Sequence, residues 1–344
     1  SFDIDNKIEQ LIGDVLTNGE KEAFKQAHLK HTREIIIEGG DSSLGKALDK
    51  IKILKDIQSK QNSREFPHSI SSLFTMVSDC TQYGTIPFSI LARHGFIAKT
   101  ILLSLCHLGI ITKDEVNQFQ LTIQTVASDL VDDMHSLQLG ELTSTEFMLR
   151  YGHLRPGTYD IMSHRYDQMG GVSNGTIHPQ QKGKIEIFRF SQKQQQRVNA
   201  LLAKDGFGDF QADDLLNYMR EAIIGREYAK FIFTRTVSDM LELIADFSEE
   251  NGLSRDEISH VPLNSIFDIV KSSAESSIEE QLRDISDLEK EKHQISVAIR
   301  LPQLLADQAG VHIVPFQVSH PNFITHKKVT AEILILHSKI DEIS

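Results

Sequence analysis

The chain has 344 residues, with 36 Lys and Arg against 48 Asp and Glu, and its formal charge of −12 argues against non-specific binding to nucleic acid. Neutralising a phosphate backbone needs a basic surface. The composition (40% hydrophobic, 24% charged, 8 Pro, no Trp) is that of an ordinary soluble globular protein, long enough for roughly two or three domains. Cys80 and Cys106 are the only cysteines, both in apolar surroundings, which points to reduced core residues and a cytoplasmic protein.

The start, Ser1-Phe-Asp-Ile-Asp, has no basic n-region, so no signal peptide is read there. The missing initiator Met suggests a processed chain or an excised piece. Residues 3 to 59 look helical, interrupted at Gly13, Gly19 and Gly39-Gly40, and 1–62 reads as an N-terminal helical segment. Its amphipathic helices could pair with a second copy, so a homodimer is an expectation. A connector follows at 63–68. Ile86-Pro-Phe then begins a strongly apolar helix, with Pro87 suited to a first helical position, and this helix stops near Gly109. Its most apolar run, Ile101 to Ile111, is too short to span a bilayer and contains His107, so no membrane partner is expected.

Thr112-Lys-Asp-Glu115 is a capping box and predicts a helix running to about Leu139. Ile123, Val126, Leu130, Met134 and Leu137 fall at helical spacing along it, which predicts one buried face. Thr143-Ser-Thr-Glu146 repeats the capping pattern ahead of a short helix. Met169 to Gly183 has the composition of a surface connection. A phosphate-cradling loop is poorly supported there, because no strand precedes it and no GxxxxGK[ST] pattern is present. Ser191 caps a Gln-rich helix, Ala212 to about Asn251 forms a long one, Ser254-Arg-Asp-Glu257 is a third capping box, and 276–299 is a charged amphipathic helix. The fold class is therefore mainly α, a multi-helix domain over 63–300. A small β element is expected towards the C-terminus, with strands near 184–190, 311–318 and 329–337, the last two in a short segment at 301–344.

Tyr151-Gly-His-Leu-Arg-Pro-Gly-Thr-Tyr-Asp160 is the most informative stretch. Glycine and proline make it a rigid irregular loop, and it displays a His, an Arg, an Asp and two Tyr hydroxyls. Two readings stay open: a binding loop on a helical scaffold, or a structural turn whose His and Arg cap neighbouring helices. Three basic groupings accompany it: Arg93-His94, then Arg150 with His153 and Arg155, then Arg226 and Lys230 with Arg235 further along. Their convergence would make an anion pocket, because Arg forks match carboxylate and phosphate geometry. The competing reading is solvated charge and internal ion pairs. His28-x-x-His31 and His153 with His164 lack Cys partners or an HExxH arrangement, so no metal set is nominated. No GxSxG elbow and no paired-carboxylate site is visible.

Four blocks occur in order: Pro87-Phe-Ser-Ile-Leu-Ala-Arg-His-Gly-Phe-Ile-Ala98, Arg150-Tyr-Gly-His-Leu-Arg-Pro-Gly-Thr-Tyr-Asp-Ile161, Gly225-Arg-Glu-Tyr-Ala-Lys-Phe231 and Ser319-His-Pro-Asn-Phe-Ile-Thr-His-Lys-Lys-Val329. Together they resemble the central region of phosphoenolpyruvate-synthase-like phosphotransferases, the group that includes rifampicin phosphotransferase. The resemblance runs from about residue 60 to the end. It implies a full polypeptide with an ATP-grasp domain before this region and a swivelling phosphohistidine domain after it, both partners of this chain. ATP and Mg are then expected for the full-length protein, with no cofactor held by this chain and a small-molecule acceptor bound here. This chain has no ATP-grasp pattern and no Gly-rich Thr-His segment, so alone it is expected to be catalytically incomplete. The resemblance implies His153 as general base towards an acceptor hydroxyl, and Arg93, His94, Arg150, Arg155, Tyr159, Asp160, Arg226 and Lys230 as acceptor- or phosphate-binding residues in one cleft. The alternative function is a helical scaffold that spaces and docks neighbouring domains.

Overall fold

The computed structural model describes residues 2–37, 43–62, 69–169, 186–272, 276–298 and 308–312, and the architecture is mainly α. Two helices lead. α1 (Ile4–Ile12) buries Ile4 and Ile8, and α2 (Asn18–Ile37) buries Leu29, Thr32 and Ile36. α3 (Ser43–Asn62) places Leu44, Ala47, Ile51 and Leu54 in the core at helical spacing.

From Ile70 to His107 the chain is helical without a break: a 3-10 turn (Ile70–Ser72), α4 (Leu73–Asp79), a π-helical stretch (Cys80–Thr85) and α5 (Ile86–His107). The sequence places a helix start at Ile86; the structure starts it well upstream. Pro87 offers no N–H to the turn before it, and the widened π turn, in which Ile86 N bonds to Thr81 O, carries the helix past it. By length and composition alone this run could cross a membrane. Here Leu91, Ala98, Ile101, Leu102 and Leu105 are packed into the core.

α6 (Lys113–Leu121) and α7 (Val126–Leu139) replace the single helix expected from Thr112 to Leu139. The chain leaves the helix over Thr122–Thr125, where β-branched residues are dense and Thr125 adopts an extended backbone that opens a new helix. The expected apolar stripe is correspondingly weak: Ile123 is buried, but α7 itself has no fully buried residue. Gly140, at φ +76°, ends α7 in the left-handed conformation that glycine tolerates.

α8 (Ser144–Tyr151) begins at the Thr143–Glu146 capping box, α9 (Gln192–Lys204) at Ser191, and α11 (Arg255–Ser259) at the Ser254–Glu257 box, as the sequence predicts. α10 (Ala212–Glu250) has 39 residues and so spans about 58 Å. α12 (Leu263–Lys271), an addition to the expected elements, buries Ile266 and Ile269, and α13 (Ile278–Ala298) is the charged helix.

Residues 1–289 form one compact unit and 290–344 a second. Within the first, α10 runs through both hydrophobic clusters. Its N-terminal half packs with α3, α5, α6 and α9, and its C-terminal half with Leu73, Leu253, Ile258, Ile266 and Leu282. The boundary expected at residue 62 therefore falls inside a shared core. A polar tie reinforces it: buried Gln58 donates to Ile232 O and Thr236 Oγ1, each at 2.8 Å. Burial pushes the Cys80 thiol up to about 11, as befits an inert core residue.

Of the expected β element, residues 186–190 are described and form no strand. Phe188 and Phe190 are buried against the core instead. Val311 and His312 close a short 3-10 helix, and residues 313–318 and 329–337 lie outside the described residues.

Candidate functional site

The loop that follows α8 is folded tightly onto α10, and Arg155 is the reason. Its side chain is 1% exposed and every nitrogen is used. Nε donates to Ser238 Oγ at 3.2 Å, Nη1 to Asp160 O and Ser163 O, and Nη2 to Ser238 and to Glu242 Oε1 at 2.8 Å. Glu242 also receives Arg255 Nη2 at 2.6 Å and Gln168 Nε2 at 2.6 Å. Burial works against the Glu242 carboxylate, yet these hydrogen bonds and charges hold it well down, to about 2. Arg155 thus has no donor left for a ligand. Of the two readings of this loop, the structural turn accounts for Arg155.

His153 lies two residues earlier and is 2% exposed. Burial, helped by Arg235 and Arg165, drives its pKa down to about 3, so the ring is neutral. Arg235 Nε donates to its Nδ1 at 3.2 Å, and a guanidinium can only donate. Nδ1 is therefore the acceptor, and the ring proton sits on Nε2. That nitrogen is buried and has no hydrogen-bond partner among the described residues. Arg235 Nη2 in turn donates to the carbonyls of Leu149 and Arg150 at the end of α8, where a cation is favoured by the helix dipole. A general base needs a free lone pair. In this tautomer His153 presents a donor instead, which corrects the expectation for its role.

His153, Leu154, Arg155 and Thr158 form one wall of an open cavity of about 210 Å³. Glu227, Lys230, Phe231, Thr234 and Ser238 of α10 form the second, and Val126, Ala127 and Leu130 of α7 the third, with Tyr151 beside them. Lys230 is exposed, and among the described residues no hydrogen bond or ion pair engages its ammonium. Glu227 is tied to Arg226 Nη1 at 3.0 Å. Phe231 meets the His153 ring edge-on, centroids 4.9 Å apart.

The other expected site residues lie elsewhere. Arg226 lies across Gly95, stacks over Phe96 at 5.3 Å and lines a separate cavity with Lys99 and Thr125. Arg93 lines a third cavity with His28 and His31 of α2. His94 is buried and satisfied, with Ser43 Oγ at 2.8 Å on one nitrogen and Tyr218 OH at 3.0 Å on the other. Burial lowers its pKa to about 4. Arg150 pairs with Asp133 at 2.8 Å, and Asp133 also accepts from Tyr151 OH. Tyr159 is exposed, and Asp160 folds back to accept from Met162 N at 2.9 Å. The single cation-lined cleft of the sequence reading thus resolves into three cavities, with His153, Arg155 and Lys230 sharing one. The reason is helical geometry combined with the α6–α7 break. Arg226 and Lys230 share one side of α10, but the first turn of α7 lies between them and divides the space.

Ser238, Glu242 and the first turn of α7 escaped the sequence reading. A signal existed: Arg235, Ser238 and Glu242 recur at helical spacing, a polar stripe on α10. Among the described residues no group of three His, Cys, Asp or Glu is placed to hold a metal ion.

No family model, no curated protein and no solved structure matches the chain.

Proposed function

We propose that this chain is the acceptor-binding helical region of an ATP-dependent phosphotransferase that works through a phosphohistidine, and that the acceptor occupies the cavity beneath Tyr151–Asp160. The observation that carries the reading is the meeting of two of the four resemblance blocks on one cavity. The 150–161 block contributes His153, Leu154 and Thr158, and the 225–231 block contributes Glu227, Lys230 and Phe231. The 87–98 block lies on α5 beside other cavities, and 319–329 lies outside the described residues.

Phosphoryl transfer depends on positioning and on stabilising charge spread over phosphate oxygens. Lys230 supplies a point charge at the mouth. Leu130, Leu154 and Phe231 offer apolar surface to the carbon skeleton of an acceptor. ATP and Mg belong, in this reading, to other domains of the same polypeptide.

The alternative scaffold role has one feature in its favour: Arg155 spends all its donors on the loop carbonyls and on Ser238 and Glu242 of α10. The test is the complete reading frame on both sides of this segment, followed by transfer assays on the full-length protein. An ATP-grasp domain upstream, a Gly-rich phosphohistidine segment downstream, and loss of transfer in Lys230→Gln are expected. A frame without either domain overturns the reading.

A further inference from the structure

We infer that the slot between α2 and α5 is a second binding site, and that it takes a linear apolar carboxylic acid whose head group is held by Arg93.

The two helices face each other across a cavity of about 630 Å³. α2 presents His28, His31, Thr32 and Ile35 to it, and α5 presents Ser89, Ala92, Arg93, Phe96 and Thr100. Both sets recur at three- and four-residue spacing, so each helix turns one face to the gap. From Ser89 to Thr100 that face runs for about 16 Å. The volume lies within the roughly 300–1,000 Å³ of small-molecule sites.

The walls are apolar. Thr32 and Ser89 turn their hydroxyls back onto their own helices, to His28 O and Ile86 O, each at 2.8 Å. Phe96 is 61% exposed, and its ring is steadied by the Arg226 guanidinium stacked over it at 5.3 Å. Less than half of the most apolar stretch of the Ile70–His107 run is buried. The α5 helix therefore carries more apolar surface than the core uses, and apolar surface gathered in a concavity marks a binding surface.

One charge stands in this slot without a match. Among the described residues no hydrogen bond or ion pair engages the Arg93 guanidinium, and none that lines the cavity is a carboxylate. α5 contains no Asp or Glu. Glu34, next to Ile35 on α2, lies with Lys30 and His31 at 3.9 Å each. An arginine fork matches a carboxylate in shape and charge. A long apolar slot with that fork partway along it suits an acid with a hydrocarbon body, laid against Ile35, Phe88 and Phe96. A small polar anion would leave those walls uncovered.

The test is a titration of the 344-residue chain with dodecanoate below its micelle concentration, with dodecanol and inorganic phosphate alongside, read by calorimetry and amide 15N NMR. One dodecanoate per chain is expected, with shifts at Ile35, Ala92 and Phe96, no response to phosphate, and affinity about tenfold weaker in Arg93→Gln. Ala92→Trp, which fills the slot, should abolish binding. Arg93 is exposed, so Arg93→Gln decides the matter even if the tryptophan variant does not fold. Equal affinity for dodecanol, or an Arg93→Gln variant that binds as well, overturns the inference. So do several dodecanoates coating each chain, shifts confined to the Tyr151–Asp160 cavity, or a dimer in solution that covers Phe96. The measurement involves no transfer reaction, so failure here leaves the proposed acceptor cavity untouched.

Discussion

Arg235 Nε donates to His153 Nδ1 at 3.2 Å, which sets a side chain that keeps its protons against the one ring nitrogen able to accept. The neutral ring therefore carries its proton on Nε2. NMR of the ring nitrogens should show that tautomer unchanged across pH 5 to 8, because the pKa lies near 3. In Arg235→Met the charge beside the ring is lost while burial persists, so the pKa should rise only part of the way to 6.5. The same variant strips a donor from the last carbonyls of α8, at about 1–3 kcal/mol. A ring that titrates near 6.5 in the unaltered protein would rule out this arrangement.

Arg155 should be among the most sensitive positions. Arg155→Ala leaves Glu242 half-paired and strips donors from Ser238, Asp160 and Ser163, at a cost of about 3–5 kcal/mol. Arg155→Lys should recover little, since a point charge cannot serve so many directions at once. Chemical denaturation measures both; a cost below about 1 kcal/mol for the alanine variant would contradict the bonding described.

Acid should destabilise the fold through three groups of the same sign. His153 and His94 hold pKa values near 3 and 4, below the ordinary 6.5, so between those limits the unfolded chain takes up protons that the folded chain refuses. Each contributes a loss of about 1.4 kcal/mol per pH unit as pH falls below 6.5. Glu242, depressed to about 2, adds a loss beginning below 4.5. Stability measured from pH 7 down to 4 should fall steadily, and less steeply in a His153→Phe variant. A flat profile would contradict neutral burial of the two rings.

Gly84 sits where the π-helical stretch meets α3 and α10. An added methyl would stand 2.8 Å from Phe233 Cβ and 3.0 Å from Leu54 Cδ2. Gly84→Ala should cost about 1–3 kcal/mol through overpacking, despite the better helix propensity of alanine. Thermal unfolding reads the difference; a stabilised variant would mean that the helices part more easily than their contacts imply.

Local signals carried most of the fold into the sequence. Thr112–Glu115, Thr143–Glu146 and Ser254–Glu257 each spelled out a capping box, and each is formed. Such caps depend on a few neighbouring residues, so they read directly. The α6–α7 break at Thr122–Thr125 did not, because the apolar spacing continues across it and hides the change of axis. As a result the first turn of α7, which walls the cavity, reads as helix interior in the sequence. Lys230 and the His153 loop were legible as candidate groups. Which cations would converge was not, because Arg93, Arg155 and Arg226 are sorted by long-range packing that no local pattern encodes.

The Arg155 tether also governs the tempo of exchange. Lifting the loop would pull Arg155 from Ser238 and break its pair with Glu242, leaving the Arg155 charge without a partner and Glu242 with Arg255 alone to balance it. The loop is therefore a fixed wall of the cavity, and a ligand of the proposed site would enter past Lys230. Ligand should arrive in a single kinetic step whose rate rises linearly with concentration, with no slow opening phase ahead of it.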